Sequence, residues 1–170
     1  METLNNNDAM AVQRTKINGN FTDLAENNGV FASLSASANT TVTTADTYYP
    51  IAGTFTNSPM ENFAAGTVHT PSIKYIGTET KYFEIDWHAT ASPDSTGMTV
   101  HFGIKKNGTL IDSSVMGTFL KSGGEAQALS GTSVVELSTN DEIQLVLTAD
   151  GDGDIVTVPH YTTTMRPFFF

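Results

Sequence analysis

From residue 81 onward the chain alternates apolar and polar positions with a period of two. In KYFEIDWHA (81–89), Phe83, Ile85, Trp87 and Ala89 share one face, and Tyr82, Glu84, Asp86 and His88 share the other. A period of two predicts a strand with one dry side and one wet side. Val100, Phe102 and Ile104 repeat the pattern in MTVHFGIKKNG (98–108). Lys106-Asn107-Gly108 then predicts a hairpin, because Asn-Gly suits a type I′ turn, and residues 110–116 pair back. Residues 92–97 (SPDSTG) form a loop. SVVELS (133–138) and IQLVLTA (143–149) are two further strands, parted by Thr139-Asn140-Asp141, and a last strand spans residues 155–165.

The first third of the chain is patterned differently. In residues 8–29, Met10, Ile17 and Leu24 fall seven apart, with Phe21 between the last two. That spacing predicts a helical stripe. Asn7 or Asp8 caps its start, Gly29 ends it, and Asn18-Gly19 weakens its middle. So narrow a stripe must pack on something to be stable. Residues 30–47, rich in Ser, Thr and Ala, read as a linker that enters a first strand near residues 40–44. Two or three short strands follow over 48–78. The organisation is an arm and helical attachment segment over 1–36 and a β-sandwich over 37–170. Eight to ten strands, as two four-stranded sheets face to face, predict an all-β antiparallel jelly roll. An immunoglobulin-like sandwich is the alternative, but the block is too long and lacks the Cys…Trp…Cys pattern.

Charge narrows the partners. Eighteen acids against eight bases give a formal net charge of -10. With no basic cluster beyond Lys105-Lys106, nucleic acid and anionic membrane surfaces are disfavoured. The chain has no cysteine, so disulfides and thiolate chemistry are excluded. Residues 1–30 hold no apolar run of signal-peptide or membrane-spanning length, so neither export by that route nor membrane insertion is expected.

Candidate chemistry is sparse. Asp150, Asp152 and Asp154 alternate with glycines, a spacing that can wrap calcium, although Tyr161 stands where an EF-hand places its bidentate Glu. A plain hairpin loop explains the run equally. His88 and His101, on adjacent predicted strands, are expected to approach across a sheet. Asp86 is a third possible ligand, and an ordinary interface position is the simpler reading. No cofactor is otherwise implied. There is no GxSxG elbow, and eighteen carboxylates cannot be paired from sequence. Trp87 reads as core, whereas Tyr48, Tyr49, Tyr75 and Tyr161 are candidates for partial exposure. The ending Phe168-Phe169-Phe170 is an aggregation hazard unless covered, which predicts burial in a groove, by the interchain reading against a neighbouring copy.

Two resemblances add to this. TKINGNFTDLAEN (15–27) resembles the short openings of bacteriophage tail, fibre and head-attached structural proteins. KYFEIDWHATASPDSTGMTVHFGIKKNGTLID (81–112) and LSTNDEIQLVLTADGDGDIVTVPHYTTTMRPF (137–168) resemble the core and closing strands of C1q/TNF-like jelly rolls. In the second segment Asn140-Asp141-Glu142 stands where the commoner form has Gly-Asp. The resemblance implies a homotrimer with its C-terminal strands near the three-fold axis, mounted on a virion through the N-terminal arm. Met10, Ile17, Phe21, Leu24 and Phe168–Phe170 then serve attachment or oligomerisation, His88 and His101 line the contact between subunits, and loops 92–97 and 150–154 face outward. The expected role is a non-enzymatic virion protein, as capsid decoration, head fibre, tail fibre or baseplate part, contacting other virion proteins. The alternatives are a module that binds a host surface glycan or receptor during host attachment, and a polysaccharide-degrading enzyme.

Overall fold

The computed structural model describes residues 30–57, 62–94 and 97–168, and among them there is no helix. The strands, in chain order, are β1 (Val30–Ser37), β2 (Asn39–Val42), β3 (Tyr49–Pro50), β4 (Gly53–Asn57), β5 (Phe63–Ala65), β6 (Ile73–Tyr75), β7 (Lys81–Pro93), β8 (Met98–Lys106), β9 (Thr109–Leu120), β10 (Gln127–Leu137), β11 (Glu142–Ala149) and β12 (Asp154–Pro167). They form two antiparallel sheets of six strands. The front sheet runs β10-β7-β12-β1-β4, with β2 also on β12, and the back sheet runs β5-β6-β11-β8-β9, with β3 also on β11.

The inward residues match the alternation. Phe83, Ile85, Trp87, Ala89 and Ala91 of β7 face Val100, Phe102 and Ile104 of β8 across the core. Trp87 stacks on Phe102 with ring centroids 5.8 Å apart. Phe63, Tyr75 and Phe83 form an edge-to-face cluster at one end, each pair 5.2–5.4 Å apart. Every residue of β11 is buried. It sits between β6, β3 and β8, which accounts for its near-continuous apolar run. The β8–β9 hairpin turns at Asn107 and Gly108, both at positive φ (50° and 81°), as an Asn-Gly type I′ turn requires.

The front sheet begins earlier than the sequence pattern predicts. Residues 30–36, read as part of a linker, lie in β1, which pairs with β12 and β4, so the sandwich takes in residues from Val30 rather than from residue 37. Small Ser, Thr and Ala residues give a weak hydrophobic period, and the partners of β1 lie far away in sequence. Each sheet has six strands, not four, because the short segments β2–β6 extend both. The helical stripe of residues 8–29 lies outside the described residues.

Tyr75 and Tyr161 are core residues, not the half-exposed tyrosines the sequence suggests. The Tyr75 hydroxyl donates to the Glu79 carbonyl at 2.8 Å. At Tyr161 a bulge between Thr157 and His160 shifts the alternation. Val156 and Val158 point in before the bulge, and Tyr161, Thr163 and Met165 point in after it. The Tyr161 ring meets Phe55 edge-on at 5.4 Å, and its hydroxyl hydrogen-bonds Thr163. Burial raises its pKa well above the ordinary tyrosine range.

Candidate assembly surface

The wet side of the front sheet is built in rows, because strands distant in sequence bring their outward residues into register. At the end where β7 begins, Phe168 donates its backbone N–H to the Tyr82 carbonyl at 2.7 Å, and Tyr82 pairs with Glu136. The next row is Arg166, Glu84 and Val134; the one after is Thr164, Asp86 and Thr132. Further along come Thr162, His88 and Ser130, then His160, Thr90 and Ala128. The face thus passes from an apolar end, through a charged belt, to a histidine and hydroxyl end.

The charged belt is internally matched. The Asp86 carboxylate accepts from the Thr132 hydroxyl at 2.6 Å and from the Arg166 guanidinium. These partners, Thr132 foremost, hold its pKa below the usual carboxylate range against the opposing effect of burial. Arg166 also reaches Glu84 at 3.4 Å. Glu84 and Asp86, the acid pair legible on this strand face, are therefore bridged by one arginine and stand on an open sheet. At the histidine end the face sinks into a trough of about 240 Å³, walled by His88, Thr90, Ser130, His160 and Thr162 and floored by Leu129 and Tyr161. The Thr90 hydroxyl there is buried with no hydrogen-bond partner.

Large apolar side chains are exposed on the front-sheet face and on β9, as well as at Val68 and Ile76 in the loops around β6. Tyr82 (41%), Val134 (45%) and Phe168 (38%) mark the apolar end of the face, and Met116 (49%) and Phe119 (56%) stand on β9, the edge strand of the back sheet. Sequence reasoning missed Val134, Met116 and Phe119. β9 (TLIDSSVMGTFL) mixes apolar and polar residues without a clean period, so its exposed Met116 and Phe119 do not stand out in the sequence.

The histidine expectation is corrected. His88 lies on the outer face of the front sheet and His101 on that of the back sheet, where its ring covers Gly117. The β7–β8 connection crosses between sheets, so consecutive strands here are not neighbours, and the partner of His88 in the trough is His160. The aspartate expectation is corrected too. Asp150 accepts from Thr99 N–H (3.1 Å), Asp152 from Ala45 N–H (2.7 Å) and Asp154 from Gly151 N–H (2.9 Å). The carboxylates point to separate backbone donors, and among the described residues no group of three or more His, Asp or Glu could hold a metal ion. Met10, Ile17, Phe21, Leu24, Phe169 and Phe170 lie outside the described residues.

The start of β11 holds a densely bonded carboxylate that no local sequence signal marks. The Glu142 carboxylate is buried under residues 67–72. One oxygen accepts from Thr67 N–H (2.9 Å) and Val68 N–H (3.2 Å). The other accepts from His69 N–H (2.8 Å) and the Ser72 hydroxyl (2.9 Å). Burial pushes its pKa up, but the donors from Thr67, His69, Val68 and Ser72 outweigh that and lower it from 4.5 to about 2. Gln144 assists by donating to the His69 carbonyl at 2.9 Å. Asn107 fixes the strand end by accepting from Glu142 N–H (2.9 Å) and donating to Asp141 (2.7 Å). This is a structural clamp, since every lone pair it uses is spent on its own chain.

No protein-family model matches the sequence, and no curated protein does. Solved structures do match. The chain is similar to the globular domain of zebrafish complement 1qA protein at 10% identity and a TM-score of 0.51, over 84% of this chain and 98% of that one. It is similar to Eiger TNF from S. frugiperda at 7% identity and a TM-score of 0.50, over 81% and 92%. It is similar to murine APRIL at pH 5.0 at 10% identity and a TM-score of 0.50, over 82% and 99%. At such identities the likeness is one of fold, a C1q/TNF-like jelly roll.

Proposed function

We propose that this chain is a non-enzymatic assembly module that forms a homotrimer with the outer face of the front sheet turned toward the three-fold axis. The observation that carries the reading is a match in height between an apolar edge and a trough. Trp87 stacks on Phe102, and Phe102 pairs with Met116, so Met116 stands level with the His88 row. Phe119, opposite Thr99, stands nearer the Thr90 and His160 row. Rotation about an axis along the strands moves no residue up or down. Such a ring sets the edge strand β9 of one copy, with Met116 on its inner side and Phe119 on its outer side, level with the trough of the next, a heterologous contact that closes after three steps.

The test is native mass spectrometry of the full chain, beside light scattering. The wild type should run at three times the 18.2 kDa chain mass. Phe119→Glu should shift it to monomer with an unchanged β-sheet circular dichroism spectrum. A wild type that stays monomeric at micromolar concentration refutes the reading.

The finer reading, a virion protein carried by its N-terminal segment, is supported by the resemblance of residues 15–27. Phe21→Asp should then be absent from purified particles while the sandwich stays folded; equal incorporation of mutant and wild type sinks it. A carbohydrate- or receptor-binding module is favoured by one observation, the polar walls of the trough. In that case glycan binding should be lost in His160→Ala while the chain stays monomeric.

A further inference from the structure

We propose that the trough of the front sheet binds a divalent transition metal ion of the zinc, nickel or copper(II) class through the imidazole nitrogens of His88 and His160. Both ligands belong to one chain, so the site exists in monomer and trimer alike.

The strand register builds the site. His88 of β7 pairs with Thr162 of β12, and Thr90 of β7 pairs with His160 of β12. These four outward positions form a square, with the histidines on one diagonal and the threonines on the other. Diagonal neighbours across a sheet sit about 7–8 Å apart, within reach of side chains as long as imidazole. Both histidines are exposed, and both wall the same hollow of about 240 Å³. A zinc ion takes each ligating nitrogen at about 2.0–2.1 Å, so the rings need only tilt toward the space between them. The bulge after Thr157 is what supplies the second histidine. Val156 and Val158 point inward, and only the shift in register turns His160 out and Tyr161 in. Bulges commonly re-aim a side chain beside a functional site.

Three observations select a metal cation as the occupant. The Thr90 hydroxyl, between the two histidines, is buried with no hydrogen-bond partner, and buried polar atoms ordinarily have one. A water carried by the metal supplies it. Charge points the same way. The trough walls carry no carboxylate and no Lys or Arg, but Asp86 stands one row away, close enough to His88 for their charges to act on one another. The chain as a whole carries -10. Such a field draws cations in and turns anions away. Asp86 acts through that field alone, because its oxygens are engaged by Thr132 and Arg166. Ligand type sets the class of ion. Imidazole nitrogens suit zinc, nickel and copper, whereas calcium and magnesium need several oxygen ligands. The chain supplies two ligands, and the remaining positions stay open to water or to an atom of a bound partner.

Calorimetric titration of the untagged full chain with zinc chloride in neutral buffer tests this. One ion should bind per chain. His88→Ala and His160→Ala should each weaken binding by more than the roughly tenfold lost when a group that merely orients a ligand is removed. Thr90→Val should weaken it by a smaller factor. His69→Ala and His101→Ala should leave it unchanged, and calcium chloride should not compete. On the wild type alone, zinc should shift the ring resonances of two of the four histidines in nuclear magnetic resonance spectra, so the test stands even if a variant fails to fold. The absence of saturable heat overturns the inference, as does binding that survives both His88→Ala and His160→Ala, or ring shifts at His69 or His101 instead. Native mass on the same samples separates the two readings. A trimer that takes up no zinc overturns this inference and leaves the trimer standing. A monomer that carries one zinc does the reverse.

Discussion

Replacing Glu142 with Gln removes a charge and leaves the shape nearly unchanged, so it isolates what the clamp contributes. In the wild type the carboxylate accepts from Thr67, Val68, His69 and Ser72. The amide keeps one carbonyl oxygen and turns an NH₂ group toward N–H donors, so part of that set is left unmatched. A pKa lowered from 4.5 to about 2, at about 1.4 kcal/mol per unit, corresponds to about 3.5 kcal/mol at neutral pH. The solvent-open hollow beside Lys74 and Asn107 screens part of it, so about 2–3 kcal/mol is the expected loss in Glu142→Gln. The folded-state pKa is depressed, so this stability is fully present above pH 4.5 and disappears as pH falls from there to about 2. Urea unfolding at fixed chain concentration, followed by Trp87 emission at a series of pH values, measures it. Wild type and mutant should differ by the full amount at pH 7 and converge at the acid end. A difference below about 0.5 kcal/mol at neutral pH, or one that does not change with pH, refutes the clamp.

Further outcomes follow from close approaches and from the aspartate loop. A Cβ at Gly131 would lie 2.6 Å from the Trp87 indole, which is fully buried against Phe102 and has no room to shift. Gly131→Ala should therefore cost about 1–3 kcal/mol and change the emission of the chain's single tryptophan; unchanged stability and spectrum would show that the sheets can part there. Calcium in excess should leave the melting temperature unmoved, because Asp150, Asp152 and Asp154 are spent on Thr99, Ala45 and Gly151, and a saturable rise of several degrees would show that they can be regathered. Asn107→Ala should lower stability by about 1–2 kcal/mol by releasing both Glu142 N–H and Asp141, which a thermal melt reads directly; no shift would mean that the hairpin holds without the side chain.

The dry side of the sandwich was legible because its signal is local. Period-two alternation in residues 81–89 and 98–104 needs no knowledge of neighbours, and Phe83, Ile85, Trp87, Val100, Phe102 and Ile104 all point inward as read. The alternation shifts where a bulge inserts a residue in β12, so that Tyr161 and not His160 points inward. Small side chains gave β1 too weak a period to be separated from a linker. The stripe of residues 8–29 and the last two phenylalanines stay where sequence reasoning left them.

The wet side was illegible for a different reason: its meaning depends on strand order. Front-sheet neighbours are β10, β7, β12 and β1, and no two of these are consecutive in sequence. His88 looked like a partner for His101 because their strands follow one another, yet the β7–β8 connection crosses from the front sheet to the back sheet. His88 instead shares a trough with His160. Glu142 meets backbone amides 73–75 residues away, a relation that no local pattern encodes. The same topology gives this face its use. Residues free of core packing are arranged in rows by three strands distant in sequence, β12, β7 and β10, so their chemistry can vary from apolar to ionic to imidazole without cost to the fold. That freedom predicts a separation of effects. Substitutions at Val134, Arg166 or His160 should change what the face binds far more than how firmly the sandwich holds, whereas Glu142 and Gly131 should do the opposite.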